Sequence, residues 1–187
     1  AFGRSVLALK DGDVFLLGDG FSDKGQFPFL DKMNLESGKT ERVYQSKYTD
    51  KVENLQDYDP KTNQLMVRIE SPTEYPNYFF RNSKTGKLAQ LTDFENPFTT
   101  LEKIHKEVIS YQREDGLELS GTLYLPVGYD RAKKEKMPMI LWAYPREYKD
   151  KASASQTTAN PNKFISPYWG SPIYWVTRGY VVLDGAA

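Results

Sequence analysis

The chain has 187 residues, with 25 Lys+Arg balancing 25 Asp+Glu, one histidine and no cysteine. This excludes a disulfide framework, a thiolate zinc site, a cysteine nucleophile and any site needing two imidazoles from this chain. A neutral balance gives no basic field for nucleic acid, and no apolar run approaches the ~20 residues that span a bilayer.

Aromatic residues make up 14% of the chain, too many for wholesale disorder at zero net charge. The elements begin as short strands between turn signals. Residues 5–10 alternate in polarity, Asp11-Gly12-Asp13 reads as a hairpin turn, and residues 14–17 return as a second strand. Residues 27–35 and 40–44 flank Glu36-Ser37-Gly38-Lys39, a second hairpin. Residues 52–58 and 64–70 flank the turn Asp59-Pro60-Lys61-Thr62-Asn63. In the second of these strands Leu65, Val67 and Ile69 share one face, with Met66 and Arg68 on the other. Residues 77–82 and 87–92 flank Ser83-Lys84-Thr85-Gly86.

Gly38 and Gly86 close similar units 48 residues apart, and Asn34/Asn82 and Lys39/Lys87 share that offset. Four strands in ~40–50 residues is the period of a β-propeller blade. A plain antiparallel meander is the alternative. Two blades cannot close a ring, which typically needs at least four.

Residues 93–100 form a linker containing Pro97, and the pattern then changes. Residues 107–112 and 118–125 flank Asp115-Gly116, and Pro126 stops the second strand. Residues 137–144 are a continuous apolar run, the pattern of a fully buried parallel strand. A polar loop over 148–161 follows. Ser171-Pro172 then opens a short helix as N-cap and first helical residue, with Arg178 and Gly179 suited to its C-terminal end. Residues 180–183 read as a second buried strand, completing a strand–helix–strand crossover. The expected fold is mainly β: propeller blades over residues 1–95, then the N-terminal part of an α/β layer over 96–187. The start at Ala1-Phe2-Gly3-Arg4, with no signal-peptide pattern, and the end on a strand suggest an excised fragment.

The stretch "VISYQREDGLELSGTLYLPVGYD", then "MPMILWAYPREYKDK", then "SPIYWVTRGYVVLDGAA" resembles the prolyl oligopeptidase family of serine peptidases where propeller meets α/β-hydrolase domain. The Tyr-Pro-Arg-Glu-Tyr-Lys segment is most like the glutamyl endopeptidase branch. The resemblance implies a Ser-Asp-His triad cleaving peptides, with no metal or organic cofactor. It also implies that the remainder of the same polypeptide is a partner, and that export or a periplasmic location is common. By the same match Tyr144, at the C-terminal end of the first parallel strand, is an oxyanion-hole donor. Its bland alternative is one of 13 tyrosines capping the core. Many relatives carry Gly-Gly or Ala-Gly after this tyrosine, whereas Pro145-Arg146 stands here. Arg146, Lys149 and Lys151 are candidates to pair with a substrate carboxylate, against the plainer reading of a solvated loop.

No serine sits in a G-x-S-x-G elbow; Gly3-Arg4-Ser5-Val6-Leu7 and Gly20-Phe21-Ser22-Asp23-Lys24 both fail at the last position. His105 precedes the hydrolase hairpin, whereas the family's triad follows the elbow. This chain alone is therefore expected not to hydrolyse peptides. Asp11, Asp13, Asp19 and Asp23 have calcium-loop density, but Phe15 and the missing Glu break that pattern. Arg131, Lys133, Lys134 and Lys136 are basic, but Glu135 interrupts them and no aromatics interleave, so no nucleic-acid partner is expected. Phe164, Tyr168, Trp169, Tyr174 and Trp175 are expected to pack a helix onto a sheet. The rival function is a noncatalytic β-rich module holding a peptide or glycan on such aromatics.

Overall fold

Asp11 and Gly12 both have positive φ, 54° and 80°, the backbone of a type I′ hairpin turn. In the computed structural model, which describes residues 9–22, 24–143 and 160–185, this turn joins β1 (Leu9–Lys10) to β2 (Asp13–Gly18). A two-stranded ribbon follows, β3 (Phe21–Ser22) with β4 (Gly25–Gln26). Then β5 (Phe29–Asn34) pairs with β2, and β6 (Thr40–Gln45) with β5, giving a sheet ordered β1-β2-β5-β6. The second sheet runs as a meander through β7 (Val52–Asp59), β8 (Gln64–Glu70), β9 (Asn77–Asn82) and β10 (Leu88–Gln90). Both are four-stranded antiparallel sheets of propeller-blade type.

The repeat extends to atoms. Asn34 N–H donates to Lys39 O and Asn82 N–H to Lys87 O, both at 2.9 Å. Gly38 N–H donates to Asn34 O at 2.9 Å, and Gly86 N–H to Asn82 O at 2.8 Å. Each asparagine's side-chain oxygen caps its own turn, Asn34 accepting from Ser37 N–H and Asn82 from Lys84 and Thr85 N–H. Leu65, Val67 and Ile69 are buried together as the alternation predicts, with Tyr44, Tyr48 and Phe79 packed against them. Asp13, one of the aspartates with calcium-loop density, accepts from Asn34 Nδ2 at 2.9 Å. Asp23 lies outside the described residues.

The chain divides into two compact units. One takes the residues up to Glu95 together with Asn162–Phe164; the other takes the rest from Asn96 onward. In the second, β11 (His105–Gln112) and β12 (Glu118–Leu125) form the hairpin around Asp115-Gly116. Next come β13 (Met139–Trp142) and β14 (Val181–Asp184), in the order β11-β12-β14-β13. β14 is antiparallel to β12 and parallel to β13. The crossover helix is a seven-residue 3-10 helix, Pro172–Arg178. Ser171 Oγ accepts from Ile173 N–H at 3.3 Å, and Gly179 ends the helix at φ 84°. The run Ile173-Tyr174-Trp175-Val176-Thr177 is β-branched and aromatic, poor in α-propensity, which favours the tighter form. Ile173 and Val176 join Leu101, Ile104, Tyr124, Ile165 and Val182 in one core.

Two expectations need correction. The strand read as fully buried is largely exposed: Met139 is 55%, Leu141 58% and Trp142 41% accessible. Among the described residues β13 is the edge of this sheet, paired with β14 alone, and of its residues Ile140 packs on the core. The aromatic group does not pack the helix down. Trp169 is 96% exposed, and Tyr168, Tyr174 and Trp175 also face solvent, while Phe164 is buried in the first unit. Helix packing falls instead to its two branched aliphatics.

His105 opens β11 opposite Leu125 rather than lying in the linker, with Nε2 3.4 Å from Glu107 Oε2. Glu107 also accepts from Arg131. The Arg131 hydrogen bond holds the Glu107 carboxyl below its ordinary range, against partial burial and with help from His105. A depressed folded value means stability that is present above the unfolded pKa and lost as pH falls through the folded one. Glu107→Gln should therefore lower Tm modestly at neutral pH. The gap to wild type should close in acid, and a gap independent of pH would show that the ion pair does not contribute.

Candidate active site

Parallel strands in an open α/β sheet deliver their following loops to one edge, where sites form. Here β13 and β14 are in register from Met139↔Val181 to Trp142↔Asp184. Gly185 N–H donates to Trp142 O at 3.0 Å, so the ladder continues past the end of β14. The base of this mount is well fixed. Val182 is fully buried, and Tyr124 beneath it is 8% exposed. Burial first, and the Asp184 charge second, push the Tyr124 phenol well above its ordinary value, so it stays neutral.

Tyr144 stands two residues after Trp142 in the sequence and lies outside the described residues. Arg146, Lys149 and Lys151 also lie outside them. Among the described residues no cluster of three or more His, Asp or Glu is placed to hold a metal. No helix among them is long and apolar enough to cross a membrane.

Sequence reasoning passed over a buried polar network in the first unit. Glu53, 1% exposed, accepts from Arg81 Nε at 2.7 Å and from the Tyr44 hydroxyl at 2.6 Å. Arg81 donates onward to Gly86 O and the Tyr48 hydroxyl, each at 3.1 Å. Glu70, 2% exposed, accepts from Arg68 at 2.6 Å. Alternation within a strand gives no hint of the Glu53 and Arg81 contacts, because their partners lie outside their own strands; Arg68 and Glu70, by contrast, are two apart on β8.

Two blade-type sheets followed by a mixed sheet with a parallel pair fit terminal propeller blades and the start of an α/β-hydrolase layer. Comparison with known proteins bears on this reading. No protein-family model matches the chain. A probable glutamyl endopeptidase, chloroplastic, of Oryza sativa subsp. japonica is 37% identical over 201 residues, covering 99% of this chain and 21% of that protein. Its namesake in Arabidopsis thaliana is 36% identical, covering 92% and 19%. The chain thus spans about a fifth of the length of these curated relatives. Among solved structures, dipeptidyl peptidase 4 of Porphyromonas gingivalis matches 94% of this chain and 24% of its own, with TM-score 0.57 and 17% identity. Oligopeptidase B of Trypanosoma brucei matches 96% and 24%, with TM-score 0.55 and 15% identity. The chain is thus similar over nearly its whole length to proteins named as probable glutamyl endopeptidases, and its fold is that of the solved peptidases it matches.

Proposed function

We propose that this chain is part of a serine peptidase that hydrolyses peptide bonds. The observation that carries this is 37% identity across nearly its whole length to a protein named glutamyl endopeptidase. In the proposed reaction a serine Oγ attacks the scissile carbonyl carbon and its proton passes to a histidine. The resulting oxyanion collapses to an acyl-enzyme as the amine leaves with that proton, and water then releases the acid. Tyr144 is the proposed donor to the oxyanion. Arg146 is the proposed cation for a substrate carboxylate, which a glutamyl side chain would provide. Neither metal nor organic cofactor enters this chemistry. Serine, aspartate and histidine of the triad are proposed to lie elsewhere in the polypeptide, because no serine here sits in a G-x-S-x-G elbow. An exported or periplasmic location is proposed on the family likeness alone.

The experiment is active-site labelling. The whole polypeptide should cleave glutamyl peptides and react stoichiometrically with a fluorophosphonate. The 187-residue chain should take up no label. Stoichiometric labelling of this chain would place the nucleophile within it. A whole polypeptide that neither labels nor cleaves would end the peptidase reading.

A further inference from the structure

Phe164 and Ile165 are consecutive, yet they belong to different compact units. Phe164 is 8% exposed, and its ring meets Tyr75 edge-on at 5.3 Å in the first unit. Ile165, also 8% exposed, is a member of the second unit's core with Leu101, Ile104, Tyr124, Ile173, Val176 and Val182. One peptide bond thus joins a residue buried in the first unit to a member of the second unit's core.

The segment Asn162–Phe164 is held in the first unit by polar contacts as well. Phe164 N–H donates to Glu70 Oε2 at 3.0 Å, and Asn162 Nδ2 donates to Thr49 O at 2.8 Å. Glu70 is itself fixed. Its Oε1 accepts from Arg68 Nη2 at 2.6 Å and from Asn54 Nδ2 at 3.3 Å. A carboxylate 2% exposed at the end of β8 is costly unless paired. Here both oxygens are used, one by the blade's own side chains and one by the docked segment.

We propose that Glu70, Thr49 and Tyr75 form a docking site for the segment Asn162–Phe164, and that this site couples the stability of the blade unit to that of the second unit through the Phe164–Ile165 peptide bond. The coupling is covalent and rests on no catalytic assignment. Loosening the dock frees the chain entering Ile165, and with it the crossover helix and β14 that share Ile165's core.

Amide hydrogen exchange on the 187-residue chain tests this. In Glu70→Ala the Phe164 amide should exchange about tenfold faster or more, since its charged acceptor is gone. Amides of residues 172–178 and 181–184 should accelerate with it, while Asn34 and Gly38 in the distant β5–β6 hairpin stay protected. An unchanged Phe164 rate would overturn the docking site. Acceleration confined to the first unit would overturn the coupling, because a merely local role for Glu70 moves only blade amides. If Glu70→Ala does not fold, Tyr75→Ala leaves the Glu70 network in place and removes only the ring under Phe164. The same three readings then apply to it.

Discussion

Arg81→Ala should destabilise the first unit by about 3–5 kcal/mol, the range for removing one partner of a buried ion pair. The Glu53 side chain is fully buried and that of Arg81 is 11% exposed, so water cannot replace the lost cation. The substitution orphans three acceptors at once: Glu53 Oε1, the Gly86 carbonyl and the Tyr48 hydroxyl. Burial alone would lower the Arg81 pKa, but the Glu53 charge and hydrogen bond outweigh it, so the guanidinium is held charged. Burial, then the hydrogen bond it donates to Glu53, also raises the Tyr44 phenol above its ordinary range, so Tyr44 stays a donor. Against a total stability of 5–15 kcal/mol for a typical domain, such a loss leaves little folded protein. Urea unfolding followed by circular dichroism measures it. The companion double variant, Glu53→Leu with Arg81→Met, should recover most of the loss, because two apolar groups leave no unpaired charge. A single-variant cost under about 1 kcal/mol, or no recovery in the double, would mean that water or another group satisfies Glu53.

The same network shows where the sequence stops being legible. The blades could be read because their information is local. Asp11-Gly12 has two positive-φ positions, Asn34 and Asn82 cap identical turns, and β8 alternates cleanly. Pairing across strands is not local. Val52 and Glu53 are both buried although adjacent, so β7 begins covered on both faces, and period-two patterning cannot foresee that. The exposed strand β13 fails for a related reason. Met137 to Tyr144 is apolar enough to be a central strand, but burial depends on neighbours that composition does not specify. The aromatic run from Tyr168 to Trp175 misled in the same way. Ring count suggested packing, whereas the 3-10 twist turned Ile173 and Val176 inward and left Tyr174 and Trp175 outside. The crossover rule, by contrast, reached the parallel pair: an apolar strand, a capped short helix and a second apolar strand imply two parallel strands, as β13 and β14 are.

On the proposed function, Tyr144→Phe in the whole polypeptide should lower kcat by roughly 10²–10³ with little change in KM, the loss typical of one oxyanion-hole donor. The expected signature follows from timing. In the proposed role the hydroxyl meets full negative charge only when the carbonyl becomes tetrahedral, so its removal would cost the transition state and spare the Michaelis complex. Phenylalanine keeps the ring and removes only the hydroxyl. The strand beneath is anchored by the β13–β14 ladder and by fully buried Val182, so the substitution should not disturb its mount. A raised KM at constant kcat would instead make Tyr144 a uniform substrate contact. Unchanged kcat and KM together would reduce it to a core-capping tyrosine and leave the oxyanion donor to be sought on another strand's loop.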